Sequence, residues 1–439
     1  MKNTVLVIGG GVAGLTAALE LSARGCAVTL LEQRSELGGR LIALSPMFLL
    51  FGQQTATLSL LRKLDAVRPG QWASPVSLEF RFPGGRIPSL RIPRLPAPFH
   101  ILLGLAASRI LPWKDLWRLI TFLERTWEGV PGLALDLENR TADEWLAEIG
   151  QSAQARADVW TPLARLLLGD DAATVSAAMF VRSLIGCFLH QPAHSTIALA
   201  GDSVRKLLLD PAIAQLHRSG VVIRPDTTVT RIRVEADRIT GIQLRQGENL
   251  VANWYVVALP HQSLGALLPE SVLARYAYFE QLTKLATSPA LSVHLRMDRP
   301  LAKPRLILLG GRRYHWIVGR TEKDAGAGQT VLCVIATGQS DLLDLPDEDV
   351  LDSALRECRE CFPALSGAKI VAHAIIREPN AFLTLRPGTA PLRPLSQSPI
   401  HNLFVAGDWT DTGLPATLEG AVLSGTRCAD AIDRHSLSA

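Results

Sequence analysis

Val5-Leu6-Val7-Ile8-Gly9-Gly10-Gly11-Val12-Ala13-Gly14 is the stretch that decides the fold. Four apolar residues predict a buried strand, the glycines a tight turn, and the Leu- and Ala-rich run from residue 15 to about 23 a helix. A second short strand, Val28-Thr29-Leu30-Leu31, ends in Glu32. Strand, G-x-G-x-x-G turn, helix, strand and acid, in that order, form the βαβ unit that binds dinucleotides. Gly9 permits the turn, Gly11 lets backbone approach a pyrophosphate, and Gly14 lets helix and strand pack closely. Val12 and Ala13 open the helix, whose free N–H groups face the phosphates. Glu32, with Gln33 beside it, is placed to accept hydrogen bonds from a ribose diol. Its charge would repel a 2′-phosphate, so the expected cofactor is FAD or NAD rather than NADP.

The residues after Glu32 separate these two. Gln33-Arg34-Ser35-Glu36-Leu37-Gly38-Gly39-Arg40 completes an E-x(5)-G-G-R motif. Gly38 and Gly39 bring backbone close to the cofactor, and Arg40 offers a fork of donors to phosphate. The motif resembles that of the flavin amine oxidase and phytoene desaturase superfamily, and the resemblance implies FAD.

At the far end, Asn402-Leu403-Phe404-Val405-Ala406 reads as a buried parallel strand. It runs into Gly407-Asp408-Trp409-Thr410-Asp411-Thr412-Gly413-Leu414-Pro415-Ala416-Thr417-Leu418-Glu419-Gly420. Gly407 and Asp408, just past a strand end, are placed to meet the cofactor, Asp408 by holding a ribityl or ribose hydroxyl. Pro415 fits the entry to a helix, where its missing N–H costs little. That helix is expected to start near Ala416 and Thr417 and to present free N–H groups. Asp411 and Glu419 fit a cofactor contact or a helix cap equally well.

Residues 406–420 resemble the C-terminal signature of hydroxysqualene dehydroxylases, first named squalene-associated FAD-dependent desaturases. Arg91-Ile92-Pro93-Arg94-Leu95-Pro96-Ala97-Pro98 resembles that family's middle region, and the domain order matches over nearly the whole chain. In the superfamily, amides of the C-terminal helix face the flavin pyrimidine edge, where negative charge develops on reduction. A strand residue matching Val229 touches the adenine, and the segment beginning at Ala258 runs past the dinucleotide. The resemblance implies reductive conversion of hydroxysqualene to squalene in squalene and hopanoid synthesis, with a polyprenoid lipid as substrate and neighbouring squalene-pathway enzymes as partners. Within the same fold the alternative is oxidative desaturation of a carotenoid precursor. Outside it, the alternative is a non-catalytic paralogue that binds flavin, lipid or a partner enzyme. One departure stands out. The D-N-G-Q-H segment that follows G-G-R in that family is replaced by a shorter stretch, residues 41–52, without its Asp, Asn and His.

Composition agrees with this placement. The 439 residues leave room for two intertwined domains. Apolar residues make up 48% and mean hydropathy is +0.19, which suits buried parallel strands and an apolar cavity. A net charge of +4, from 45 basic and 41 acidic residues, points away from nucleic acid. Cysteines stand at 26, 187, 333, 358, 361 and 428. Cys358-Arg359-Glu360-Cys361 has no second pair or His partner, so buried thiols and no metal are expected. The apolar N-terminus is the first strand of the fingerprint rather than a signal peptide.

The expected architecture is α/β: a Rossmann-like FAD-binding domain interleaved with an α+β substrate domain of mixed sheet and helices. The FAD domain takes residues 1–75, 201–264 and 395–439. Residues 76–200 form a helical, membrane-facing region, with helices over 112–128, 141–149, 158–168 and 176–188; residues 265–394 form the substrate sheet. Within 81–118, six Arg and one Lys face a single acid, Asp115, and are mixed with prolines, Trp113 and Trp117. That mixture suits a surface dipping into an anionic leaflet, so the protein is expected to be cytoplasmic and peripheral on the inner face of the membrane. The apolar run at 99–107 is too short to span a bilayer. No Ser-His-Asp or metal constellation appears. His190 and His194 are split by Pro192. Tyr314, His315 and Trp316 fit cavity lining or strand packing. Flavin chemistry needs little from side chains, so no catalytic residue is assigned.

Overall fold

A computed structural model of the chain describes residues 3–41, 47–66, 73–75, 77–82, 84–127, 137–322, 328–338 and 341–438. Its nucleotide-binding half is a five-stranded parallel sheet in the order Leu403–Val405, Trp254–Val257, Thr4–Ile8, Ala27–Leu31, Val222–Arg224. Three distant stretches of chain supply these strands. Val5, Val7, Val28, Leu30 and Val256 pack with the first helix, Val12–Ala23, and the last, Leu418–Ser438. Leu6, Ile8, Leu31, Tyr255 and Val257 face a second core that includes Ile232, Ile242 and Leu244. Those three belong to a small antiparallel sheet of Val229–Glu235, Arg238–Leu244 and Asn249–Leu250. Both faces of the parallel sheet are therefore dry, which is why its strands read as unbroken apolar runs.

The second half is a seven-stranded sheet ordered Ile370–Leu383, Thr287–Met297, Thr330–Thr337, Trp316–Thr321, Arg305–Leu309, Leu78–Arg81, Ser89–Leu90. One face packs against the helix Asp347–Cys361 and the other against the helical layer. The expected helices are present as Trp113–Trp127, Ala142–Glu148 and Ala177–Phe188. The one expected at 158–168 starts earlier, at Ala153, and widens over Arg156–Trp160 before continuing as Thr161–Leu168. Thr141 and Glu144 open Ala142–Glu148 with a capping box, each side chain bonded to the other's backbone N–H at 3.2 and 2.8 Å.

Four features differ from the sequence reading. The strands Leu78–Arg81 and Ser89–Leu90 join the substrate sheet, and Leu78–Arg81 lies parallel to Arg305–Leu309. Its charges do not mark a surface, because Glu79 accepts Arg305 Nε at 3.0 Å and Arg81 donates to Glu360 at 2.7 Å. The expected boundary at residue 200 falls inside the strand Ile197–Ser203. That strand pairs with Met47–Phe51, so part of the segment standing in place of D-N-G-Q-H is extended; residues 42–46 lie outside the described residues. Finally, Ile370–Leu383 escapes periodicity because it is an edge strand, where Glu378, Pro379 and Asn380 are tolerated.

The last helix meets the first at backbone range. A Cβ on Gly425 would stand 2.5 Å from the Ala13 carbonyl oxygen. Gly425→Val should therefore destabilise the fold by about 1–3 kcal/mol through overpacking, read as a lowered melting temperature. An unchanged melting temperature would show that the two helices have room to part.

Candidate functional site

The glycine turn is built as its spacing predicts. Gly9 has φ +107° and donates its N–H to Leu31 O at 2.8 Å. A Cβ there would stand 2.5 Å from Ala258 O, and one on Gly14 would overlap the Gly9 carbonyl. Gly11 differs: among the described residues nothing lies within 4 Å of the same position. Two glycines are thus consumed by packing, and the third faces open space at the start of the helix. That is a cradle fit for a pyrophosphate.

Glu32 is buried. Its Oε2 accepts the Gly10 N–H at 2.7 Å and its Oε1 accepts the Arg34 N–H at 2.9 Å. The carboxylate therefore braces the turn while keeping acceptor capacity on both oxygens for a ribose diol. Gln33 is exposed beside it. Thr227 N–H donates to Glu32 O at 2.7 Å, which brings the head of the Val229 strand to the same side. The Gly38 N–H bonds to Gly10 O at 2.8 Å, so the G-G-R loop is zipped onto the glycine turn.

Arg40 is more tied than the sequence suggests. Its Nη2 donates to both Asp408 carboxylate oxygens, at 2.9 and 3.2 Å, and its Nη1 to Ala381 O at 2.7 Å. The residue expected to reach phosphate thus also links the first loop, the C-terminal motif and the edge of the substrate sheet. Gly407 N–H bonds to Ser424 Oγ at 2.9 Å, and Trp409 Nε1 to Leu259 O at 3.0 Å. The second bond draws the Ala258 segment to the Asp408 loop. The last helix begins at Leu418, slightly later than expected, so Pro415, Ala416 and Thr417 form the approach to it. Glu419 is a cap: its carboxylate accepts the Ala56 and Thr57 N–H groups at 2.7 and 2.8 Å at the head of the helix Thr55–Lys63. Asp411 accepts the Gly413 N–H at 3.0 Å within its own loop.

Sequence reasoning missed His261. It is buried, donates Nε2–H to Leu285 O at 3.0 Å, and has its ring centroid 6.1 Å from that of Trp409. Burial pushes its pKa down, the Leu285 carbonyl and Asp408 oppose this, and Arg40 adds to it. The only signal was its place directly after Ala258-Leu259-Pro260. Of the three residues left open, Tyr314 donates to Val350 O at 2.9 Å and belongs to the core under Asp347–Cys361. Trp316 lies on the opposite, helix-facing side. His315 accepts the Thr337 N–H at Nδ1, 3.0 Å away, so Nε2 carries the proton. Burial, and secondarily Arg165, push its pKa down to about 3, so it is neutral. The six cysteines are free, and burial pushes Cys333 up to about 12 and Cys361 up to about 11. Among the described residues no group of His, Cys, Asp or Glu could hold a metal ion.

Residues 12–433 match the family described as flavin containing amine oxidoreductase. The chain belongs to that family. It is a flavin-dependent oxidoreductase, and its cofactor is FAD. The 15-cis-phytoene desaturase of Synechococcus elongatus is 26% identical over 98% of this chain and 95% of its own length. A probable zeta-carotene desaturase of the same organism is 23% identical, covering 98% of each chain. Among solved structures, putrescine oxidase superposes with a TM-score of 0.74 at 16% identity over 99% of each chain. An oxidoreductase from Methanosarcina mazei gives 0.72 at 17% identity over 98% of this chain and all of its own. These curated relatives are carotenoid desaturases, not hydroxysqualene dehydroxylases, so the superfamily part of the sequence resemblance stands and its finer part does not follow from them.

FAD binding tests the site directly. Glu32→Ala removes the acceptor of two buried or half-buried amides and the acceptor expected for a ribose diol. It should weaken FAD by about 1–3 kcal/mol in a titration of apoprotein. Wild-type affinity in this variant would remove Glu32 from the cofactor site.

Proposed function

We propose that the protein moves hydride between FAD and a long isoprenoid hydrocarbon, with oxidative desaturation of a carotenoid-type precursor as its reaction. The supporting observation is the similarity to phytoene and zeta-carotene desaturases, which runs over 98% of the chain. Bound FAD would supply the hydride acceptor: one carbon would give up a hydride to it and the neighbouring carbon a proton to solvent, leaving a C=C bond. The protein's own part is binding and orientation. The Gly9–Gly14 turn and Glu32 hold the dinucleotide end, and Arg40 with Asp408 fixes the junction between the cofactor loops and the substrate sheet.

Reductive dehydroxylation of hydroxysqualene is the second reading, favoured by the stretch at 406–420. There hydride travels the other way, to the allylic carbon, while the hydroxyl leaves with a proton as water. Anaerobic single-turnover assays separate the two. Oxidised enzyme with phytoene should bleach the flavin and yield a product with one more double bond. Squalene formed from hydroxysqualene by the reduced enzyme, with no turnover of phytoene, would reverse the order of these readings.

Either substrate resides in lipid, and one surface suits an anionic bilayer on the cytoplasmic side. Phe99 and Leu103 are 60% and 52% exposed on the helix Phe99–Ser108; Trp113 and Trp117 are 69% and 58% exposed on the next helix. Arg91, Arg94, Arg109, Lys114 and Arg118 are exposed in the same stretch. Its single acid, Asp115, is buried, accepting the Ser152 N–H at 2.6 Å. Arg81 is the exception among the cations, paired inside the substrate sheet. Among the described residues no helix is long and apolar enough to cross a membrane. The protein should float with vesicles containing phosphatidylserine, less so as salt rises. Trp113→Ser with Trp117→Ser should release it. Flotation indifferent to both the Trp pair and to Arg91→Glu with Arg94→Glu would discard this face.

A further inference from the structure

The loop between the strand Leu403–Val405 and the helix Leu418–Ser438 carries Asp408 at one end and Pro415, Ala416 and Thr417 at the other. It has no ladder or helix to satisfy its carbonyls, and buried carbonyls need donors. Arginines supply them. Arg393, 4% exposed, donates Nη2 to Asp408 O at 2.9 Å and to Thr410 O at 2.6 Å, Nη1 to Leu414 O at 2.6 Å, and Nε to Trp409 O at 3.4 Å. Arg182 Nη1 reaches Gly413 O at 2.8 Å, and Arg427 Nη1 reaches Asp411 O at 3.1 Å. Backbone adds a return bond, from the Asp411 N–H to Pro394 O at 2.8 Å. The carbonyls of residues 408–411, 413 and 414 are thus all held by three guanidiniums.

Among the described residues Arg393 donates to carbonyls only. Of the two nearest carboxylates, Asp408 is already bonded at both oxygens by Arg40 Nη2, and Asp411 is exposed. A buried guanidinium without its own carboxylate is costly to fold around, so a purely structural loop clamp would be better served by a neutral donor. Burial does press against the charge, opposed by Asp411 and Asp408 and reinforced by Arg182. A fixed positive charge of this kind has value where negative charge appears during turnover, and charge beside the flavin ring is one means by which a protein tunes its electronics.

We propose that Arg393 is a positioning residue for FAD: it sets the shape of the Asp408–Leu414 loop, and its buried charge makes the protein hold reduced FAD in preference to oxidised FAD. The proposal rests on FAD as cofactor and is independent of which isoprenoid is the substrate. No other side chain contacts the backbone of this loop at four carbonyls among the described residues.

The test uses the full-length protein, stripped of flavin and titrated with FAD, with melting curves of apoprotein and the flavin midpoint potential as further readouts. Arg393→Met should raise the FAD dissociation constant at least tenfold and lower the potential, since a tenfold greater loss for reduced than oxidised FAD is about 30 mV for a two-electron couple. Arg393→Lys keeps the charge without the fork, so it should recover most of the potential but not the affinity. Should Arg393→Met fail to fold, Arg182→Met takes its place. It removes the Gly413 contact and a second positive charge, and should weaken FAD and lower the potential to a smaller degree. Wild-type affinity in the folded variants would overturn the proposal. So would weakened binding with an unmoved potential in every folded variant, which would leave Arg393 a loop clamp and nothing more.

Discussion

The first helix reaches the parallel sheet because no side chain stands between Gly14 and Gly9. Backbone lies on backbone, and the Ala258 carbonyl closes the same gap from the neighbouring strand. On its other flank the helix is pressed by the last helix at Gly425. An element held at van der Waals range on two sides has little freedom to shift, since packed interiors resist small displacements. The cradle at Gly11 inherits that rigidity.

Local chemistry made the nucleotide half legible. The glycine spacing, the acid at residue 32 and the apolar strands each express a constraint carried by a few neighbouring residues, and the structure places all of them together. The substrate half was less legible for physical reasons. Leu78–Arg81 carries two charges that look solvated until Arg305 and Glu360 are seen beside them. Ile370–Leu383 contains a proline that only an edge position accepts. Arg393 in Pro391-Leu392-Arg393-Pro394 reads as an ordinary loop cation, because nothing nearby in sequence announces the carbonyls it will meet. The D-N-G-Q-H replacement was visible as an absence, but its pairing with Ile197–Ser203 depends on residues about 150 positions away.

Ion pairs in this molecule register parts against each other more than they add stability. Arg40 and Asp408 are each partly solvated, so their attraction is modest. Its value is geometric, because the planar guanidinium holds Asp408 through Nη2 and the Ala381 carbonyl through Nη1 at once. The same logic applies where Glu79 and Arg305 align the one parallel pair in an otherwise antiparallel sheet. In both places the charge marks where segments remote in sequence must meet in a single register.

Glu419 has a consequence in time. It caps the helix Thr55–Lys63 from 362 residues downstream of Thr57. The strand Leu403–Val405, which covers an edge of the parallel sheet, is also made late. At roughly 5–20 residues per second, synthesis leaves the early helix without its cap for roughly 20–70 seconds. During that interval the face of the first helix that the last helix will cover is bare. The N-terminal βαβ unit thus completes its packing only when the strand Leu403–Val405 and the helix Leu418–Ser438 are in place.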